Sequence, residues 1–239
     1  MKKNLWMLAA ILLCGVMTAQ AAEVSDSLIQ DSRANDAVYY KFNYPSVNTD
    51  GEEVVLSALL VAWNPKEAKT TDSIESVYIY SHFTITADYE CPTSDQNLKE
   101  RILFTLLAKE DYGLGFDEDQ NFISHCIIIA PDYEGYGITK DLAHPYLAQE
   151  LTARQMTDAV DYGLKLYQKH VNDNRALHFK SDWRSFGFGF SQGGAVALAV
   201  QRRLEQQGTD QELRYRGSIV GDGPVRPHRH HALLHGGRR

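Results

Sequence analysis

Val38 to Tyr44 alternates between the two sides of an extended chain with a period of two. Val54 to Ala62 is a second apolar-rich stretch, after an Asn48-Thr49-Asp50-Gly51 turn. The spacing predicts a β-hairpin, antiparallel by construction. Val77 to Tyr80 is apolar throughout and stops at Ser81-His82, and a polar loop through Pro92 leads to Leu98, Ile102, Leu103, Leu106 and Leu107 at helical spacing. A strand, a loop and a helix are expected there. Cys126 to Ala130 carries consecutive isoleucines and is stopped by Pro131, the pattern of a strand buried on both faces of a parallel sheet. Such a strand needs helices on both sides. Leu147, Leu151, Val160, Leu164 and Tyr167 lie among charged residues and predict a helix from Leu147 to Lys169, ended by Asn172-Asp173-Asn174. Ser185 to Phe190 reads as a strand, Gly193 to Gln206 as a helix whose small first residues let it pack closely on a sheet, and Arg216 to Val220 as a last strand. This alternation places the chain in the α/β class, with a doubly wound, mostly parallel sheet and an antiparallel N-terminal hairpin.

The N-terminus changes what is counted as fold. Lys2-Lys3, an apolar run from Leu5 to Val16 and the small-residue site Ala19-Gln20-Ala21 read as a secretory signal peptide over residues 1–21. The run is short for a bilayer, so export to the periplasm or the medium is expected, with no integral membrane segment after cleavage. Cys14 offers the alternative of a lipid anchor, disfavoured by bulky Leu13 beside it. The remaining chain suits one domain over residues 22–224 and is short for two. A net charge of -7 argues against a nucleic-acid surface, which would need clustered Lys and Arg. Cys91 and Cys126 fit neither a metal motif nor a disulfide framework and read as two unrelated thiols.

The chemistry concentrates at Gly189-Phe190-Ser191-Gln192-Gly193, between a predicted strand and a predicted helix. In that context a G-x-S-x-G run forms a tight turn that projects the serine at the carboxyl edge of the sheet. Ser191 is the candidate nucleophile. The helix that follows offers free N–H groups to a developing oxyanion, that of Gln192 nearest. A second donor should come from the loop after the third strand, where Ser81-His82-Phe83-Thr84 lies, and Thr84 is the candidate.

His82-Phe83-Thr84, the run from Ala130-Pro131-Asp132-Tyr133 through Glu134-Gly135-Tyr136-Gly137, His144-Pro145-Tyr146 and Gly189 to Gly194 occur together in order. Their order and spacing resemble those of the secreted esterase/lipase group of α/β-hydrolases, over about residues 38–224. The resemblance implies the α/β-hydrolase fold, Ser191 as nucleophile, Thr84 and Gln192 as the oxyanion hole, and Asp132 and Tyr136 as organisers of the loop beside the site. It implies no cofactor and no metal, and a small-molecule or lipid ester as substrate. The family's glycine between the histidine and the threonine is Phe83 here. If that position requires positive φ, Phe83 is strained and the second donor is displaced.

In this fold the acid and the histidine follow the nucleophile, and residues 192–239 are few for the strands normally placed between them. Asp222, just after the last strand, is a possible acid in a variant arrangement, although a turn carboxylate in Gly221-Asp222-Gly223-Pro224 is the simpler reading. The triad histidine is not identified. Residues 225–239 hold four of the nine histidines without periodicity. A metal-binding tract, a source of the catalytic histidine and an aberrant tail compete here. A one-nucleotide frame change near residue 225 would restore a Gly-Pro-Tyr-Asp-Pro run resembling the family's continuation. The C-terminal strands are then expected to be missing. The same serine machinery cleaves amides, so a serine peptidase is an alternative, as is a truncated, non-catalytic fragment.

Overall fold

Seven strands form one sheet, in the spatial order β1-β2-β3-β5-β4-β6-β7. They are β1 (Asp26–Ser32), β2 (Ala37–Val47), β3 (Glu53–Trp63), β4 (Ile74–Ser81), β5 (Cys126–Pro131), β6 (Phe179–Phe190) and β7 (Tyr215–Gly221). Among the described residues, two α-helices accompany them, α1 (Gln149–Val171) and α2 (Gln192–Gln207). The structure is a computed structural model and describes residues 26–32, 37–64, 68–69, 72–97, 125–171 and 177–224. The signal peptide expected over residues 1–21, the helix expected around Leu98 to Leu107 and the tail at 225–239 lie outside the described residues.

The β2–β3 hairpin is the one the alternation predicts. Asn48 closes its turn by accepting the N–H groups of Asp50 and Glu52 on Oδ1, both at 2.9 Å. From β1 to β5 neighbouring strands run antiparallel, and β5, β4, β6 and β7 run parallel. The continuous isoleucine run of β5 is fully buried, as expected, yet only β4 pairs with it in parallel; β3 pairs on its other side in antiparallel. Burial on both faces explains the apolar run, whatever the neighbour's direction.

Side-chain alternation divides the core between the two faces. Phe42, Leu60, Ile79 and Ile129 share one cluster with Met156 and Val160 of α1 and with Val196, Val200 and Leu204 of α2. Tyr39, Leu59, Val61, Trp63, Tyr78, Tyr80 and Ile128 form the other. Each buried aliphatic or aromatic side chain contributes roughly 1.5–3 kcal/mol relative to exposure. Helix α1 starts at Gln149 and not at Leu147, whose φ of 60° takes it out of helical geometry.

The winding sets the position of the site. The chain leaves β4 toward β5, returns past β4 to β6, and leaves β6 through α2 toward β7. Neighbouring β4 and β6 therefore send their outgoing connections in opposite directions. A crevice opens at their carboxyl ends, the place where open α/β sheets hold their chemistry.

Candidate active site

Ser191 sits at that crevice, in the one-residue step between β6 and α2, with φ 54° and ψ −120°. A serine in this region costs of order 1–3 kcal/mol and persists only where its surroundings hold it. Its N–H donates to the Gly221 carbonyl on β7 at 2.8 Å, and its carbonyl accepts the Ala195 N–H at 3.3 Å. Gly189 and Gly193 are required by close approach. A Cβ on Gly189 would run into the Gly193 carbonyl, and one on Gly193 would run into the carbonyls of Ser81 and His82. The elbow is thus locked between β4 and β7.

Ser81 pairs with Gly189 in parallel register, so the turn from His82 to Thr84 leaves the sheet beside Ser191. Side chains from the segment after β5 pin its backbone. The Tyr133 hydroxyl donates to the His82 carbonyl at 2.9 Å, and the Tyr136 hydroxyl donates to the Ile85 carbonyl at 2.9 Å. The His82 ring stacks on Tyr133 with centroids 3.7 Å apart, and its Nδ1–H donates to the Phe83 carbonyl at 2.8 Å. Burial pushes the His82 imidazole down to about 4, so it is neutral near pH 7. Phe83 is not among the residues with positive φ, and the strain expected from replacing glycine there is absent. Thr84 is exposed, its hydroxyl 3.4 Å from that of Tyr146.

Asp132 anchors the same segment from below. Its buried carboxylate accepts from Ser57 Oγ at 2.6 Å, from the Thr93 N–H at 3.1 Å and from the Thr93 hydroxyl. Burial nevertheless raises its pKa, because desolvation outweighs these bonds. Tyr136 reaches the backbone of the loop after β4 at Ile85, and Asp132 reaches it at Thr93. Neither reaches the nucleophile.

His144 is the residue the sequence named without a role. Its Nε2 lies 2.9 Å from Gln192 Nε2, and its Nδ1 lies 2.8 Å from the Glu134 carbonyl. The carbonyl can only accept, so Nδ1 carries the proton and Nε2 accepts the Gln192 amide. Burial lowers the His144 pKa and favours this neutral form. The Glu134 carboxylate is held in turn by Gln155 Nε2 at 2.7 Å, which also donates to the Val47 carbonyl at 2.8 Å. No pattern along the chain joins residues 144 and 192, which is why the contact was not legible there.

On the other side of Ser191, Asp222 follows β7 with φ 45° and an exposed side chain. Phe190, Ile219 and Val220 beside it are also exposed. Among the described residues no cluster of three or more His, Cys, Asp or Glu is arranged to hold a metal, and no helix is long and apolar enough to cross a membrane. Cys91 and Cys126 are both free thiols, buried in the protein.

No family model and no curated protein matches the chain. Solved structures do. The chain is similar to the rice cell wall degrading esterase LipA from Xanthomonas oryzae, at 21% identity and a TM-score of 0.58, covering 79% of this chain and 43% of that one. It is similar to Candida antarctica lipase A at 18% identity and a TM-score of 0.53, covering 89% of this chain and 44% of that one. The chain therefore has the α/β-hydrolase fold and spans less than half the length of these structures.

Proposed function

We propose that the chain belongs to an exported carboxylic-ester hydrolase that attacks an acyl carbonyl through Ser191 and passes through an acyl-enzyme. The observation that carries the reading is the backbone of Ser191, held at φ 54° and ψ −120° between a strand and a helix N-terminus. Strain of this kind on a serine at the switch point of an α/β sheet has a use when the hydroxyl must stand clear of the sheet edge. The N–H of Gln192, at the start of α2, and that of Thr84, on the pinned turn after β4, are the donors assigned to the developing oxyanion. Each such donor is worth about 10²–10³ in kcat.

The general base is not His82, which is sealed at 0% exposure, nor His144, whose two nitrogens are engaged by Gln192 and Glu134. Asp222 is the candidate acid by place, one strand over from Ser191. The two similar solved structures are named as an esterase and a lipase, which favours esters over peptides as substrates. Export rests on the N-terminal sequence.

Turnover of a short-chain aryl ester by the purified chain tests the reading. Hydrolysis that Ser191→Ala abolishes supports it, and none in the parent protein favours a non-catalytic fragment. Hydrolysis of a peptide anilide with no ester turnover favours the peptidase.

A further inference from the structure

Gln192 is 2% exposed, and its side chain ends on His144. The His144 ring is itself boxed in. Tyr133 lies nearly parallel to it at 5.9 Å, Tyr136 at 5.0 Å and Tyr146 edge-on at 6.0 Å. Its backbone lies against Gly135, which has φ 92° and where any Cβ would come within 2.7 Å of His144 Cα. The ring can neither swing nor exchange its proton position without breaking the bond to the Glu134 carbonyl.

We propose that His144 is a positioning residue: its Nε2 accepts the Gln192 side-chain amide and so fixes the residue whose backbone N–H faces the developing oxyanion. The reading rests on the assignment of Ser191 and Gln192 to catalysis. A side-chain anchor on the residue after the nucleophile restrains the first turn of α2 from rotating, which keeps the donor aimed where charge develops. Protonation of His144 would remove the acceptor, so the Gln192 amide would have to turn its carbonyl oxygen to Nε2–H and give up the arrangement that holds it. The titratable groups around the ring are Glu134, His82, Tyr133, Tyr136 and Tyr146, and Glu134 is already held by Gln155.

Two measurements test it. Imidazole ¹⁵N NMR of the parent protein should place the His144 proton on Nδ1 at pH 7. Gln192→Leu should raise the His144 pKa by roughly half a unit to one unit, because a bond to the neutral form is lost. An Nε2–H tautomer, or a titration that Gln192→Leu leaves unmoved, overturns the proposal. This arm needs no activity, so it decides the contact even if no ester is hydrolysed and the functional assignment falls. In the active protein, His144→Leu should lower kcat roughly 10- to 100-fold with KM unchanged. His144→Gln, which keeps an acceptor and cannot titrate near neutral pH, should restore most of it and flatten the acid limb of the kcat profile. A rise in KM at constant kcat, or no rescue by His144→Gln in a folded protein, overturns the positioning role.

Discussion

The two flanks of Ser191 are built differently. On the β4–β5 side, Asp132, Tyr133, Tyr136 and His144 each place a polar atom on a specified partner, and the elbow glycine meets the backbone of Ser81 and His82. On the β7 side, Phe190, Ile219, Val220 and Asp222 face solvent, and the elbow is fastened by one backbone bond from Ser191 to Gly221. The difference separates two tasks. A proposed oxyanion site at this place would have to be rigid before charge develops, and the interlocked side chains of the first flank are suited to that. The second flank holds the elbow through backbone alone, with Gly221 and Gly223 packed against Gly194 and Ser191.

Substitutions on the two sides should therefore differ sharply. Gly193→Ala drives a methyl into the carbonyls of Ser81 and His82 and should destabilise the protein by about 4 kcal/mol or prevent folding, as read by urea denaturation. Asp132→Ala strips partners from Ser57 and Thr93 in a sealed site, for an expected loss of about 3 to 4 kcal/mol in the same assay.

His82 makes the rigid flank sensitive to acid. Its folded pKa of about 4 lies below the ordinary 6.5, so between these values the unfolded chain binds the extra proton. The stability is complete above pH 6.5 and is lost as pH falls toward 4, by about 3 kcal/mol in all. Asp132, with its raised pKa, acts in the opposite sense and is common to both proteins compared, so the difference between the parent and His82→Asn isolates the histidine. A parallel pH dependence in the two proteins would refute this origin. The smallest effect belongs to the open flank. Asp222→Ala should cost only about 1 kcal/mol, from placing alanine at φ 45°, and a loss of about 3 kcal/mol would show that the β7 side is as tightly built as the other.

The sequence pattern made the centre of the sheet legible because burial writes itself into side-chain choice. Leu59 and Val61 face one side of β3 and Leu60 and Ala62 the other, and every residue of β5 is buried. It made β1 and the first half of β6 illegible. The segments Asp26–Ser32 and Phe179–Arg184 are mostly polar, and a strand can pair through its backbone without apolar side chains to announce it. The elbow was legible for a local reason, since the turn imposes glycine at fixed offsets from Ser191. The contacts that stiffen it were not. Ser57 with Asp132, and His144 with Gln192, are joined by topology across 75 and 48 positions, and neither spacing carries a local signal.

Ser191 is proposed to be a nucleophile and not merely a strained turn residue. Incubation with an aryl fluorophosphonate, followed by peptide mass mapping, tests it most directly, because displacement of fluoride at phosphorus leaves a covalent phosphonyl group on a reactive serine. One adduct is expected, on Ser191, absent from Ser191→Ala. A folded parent protein that remains unlabelled, or one labelled at another residue, would contradict it.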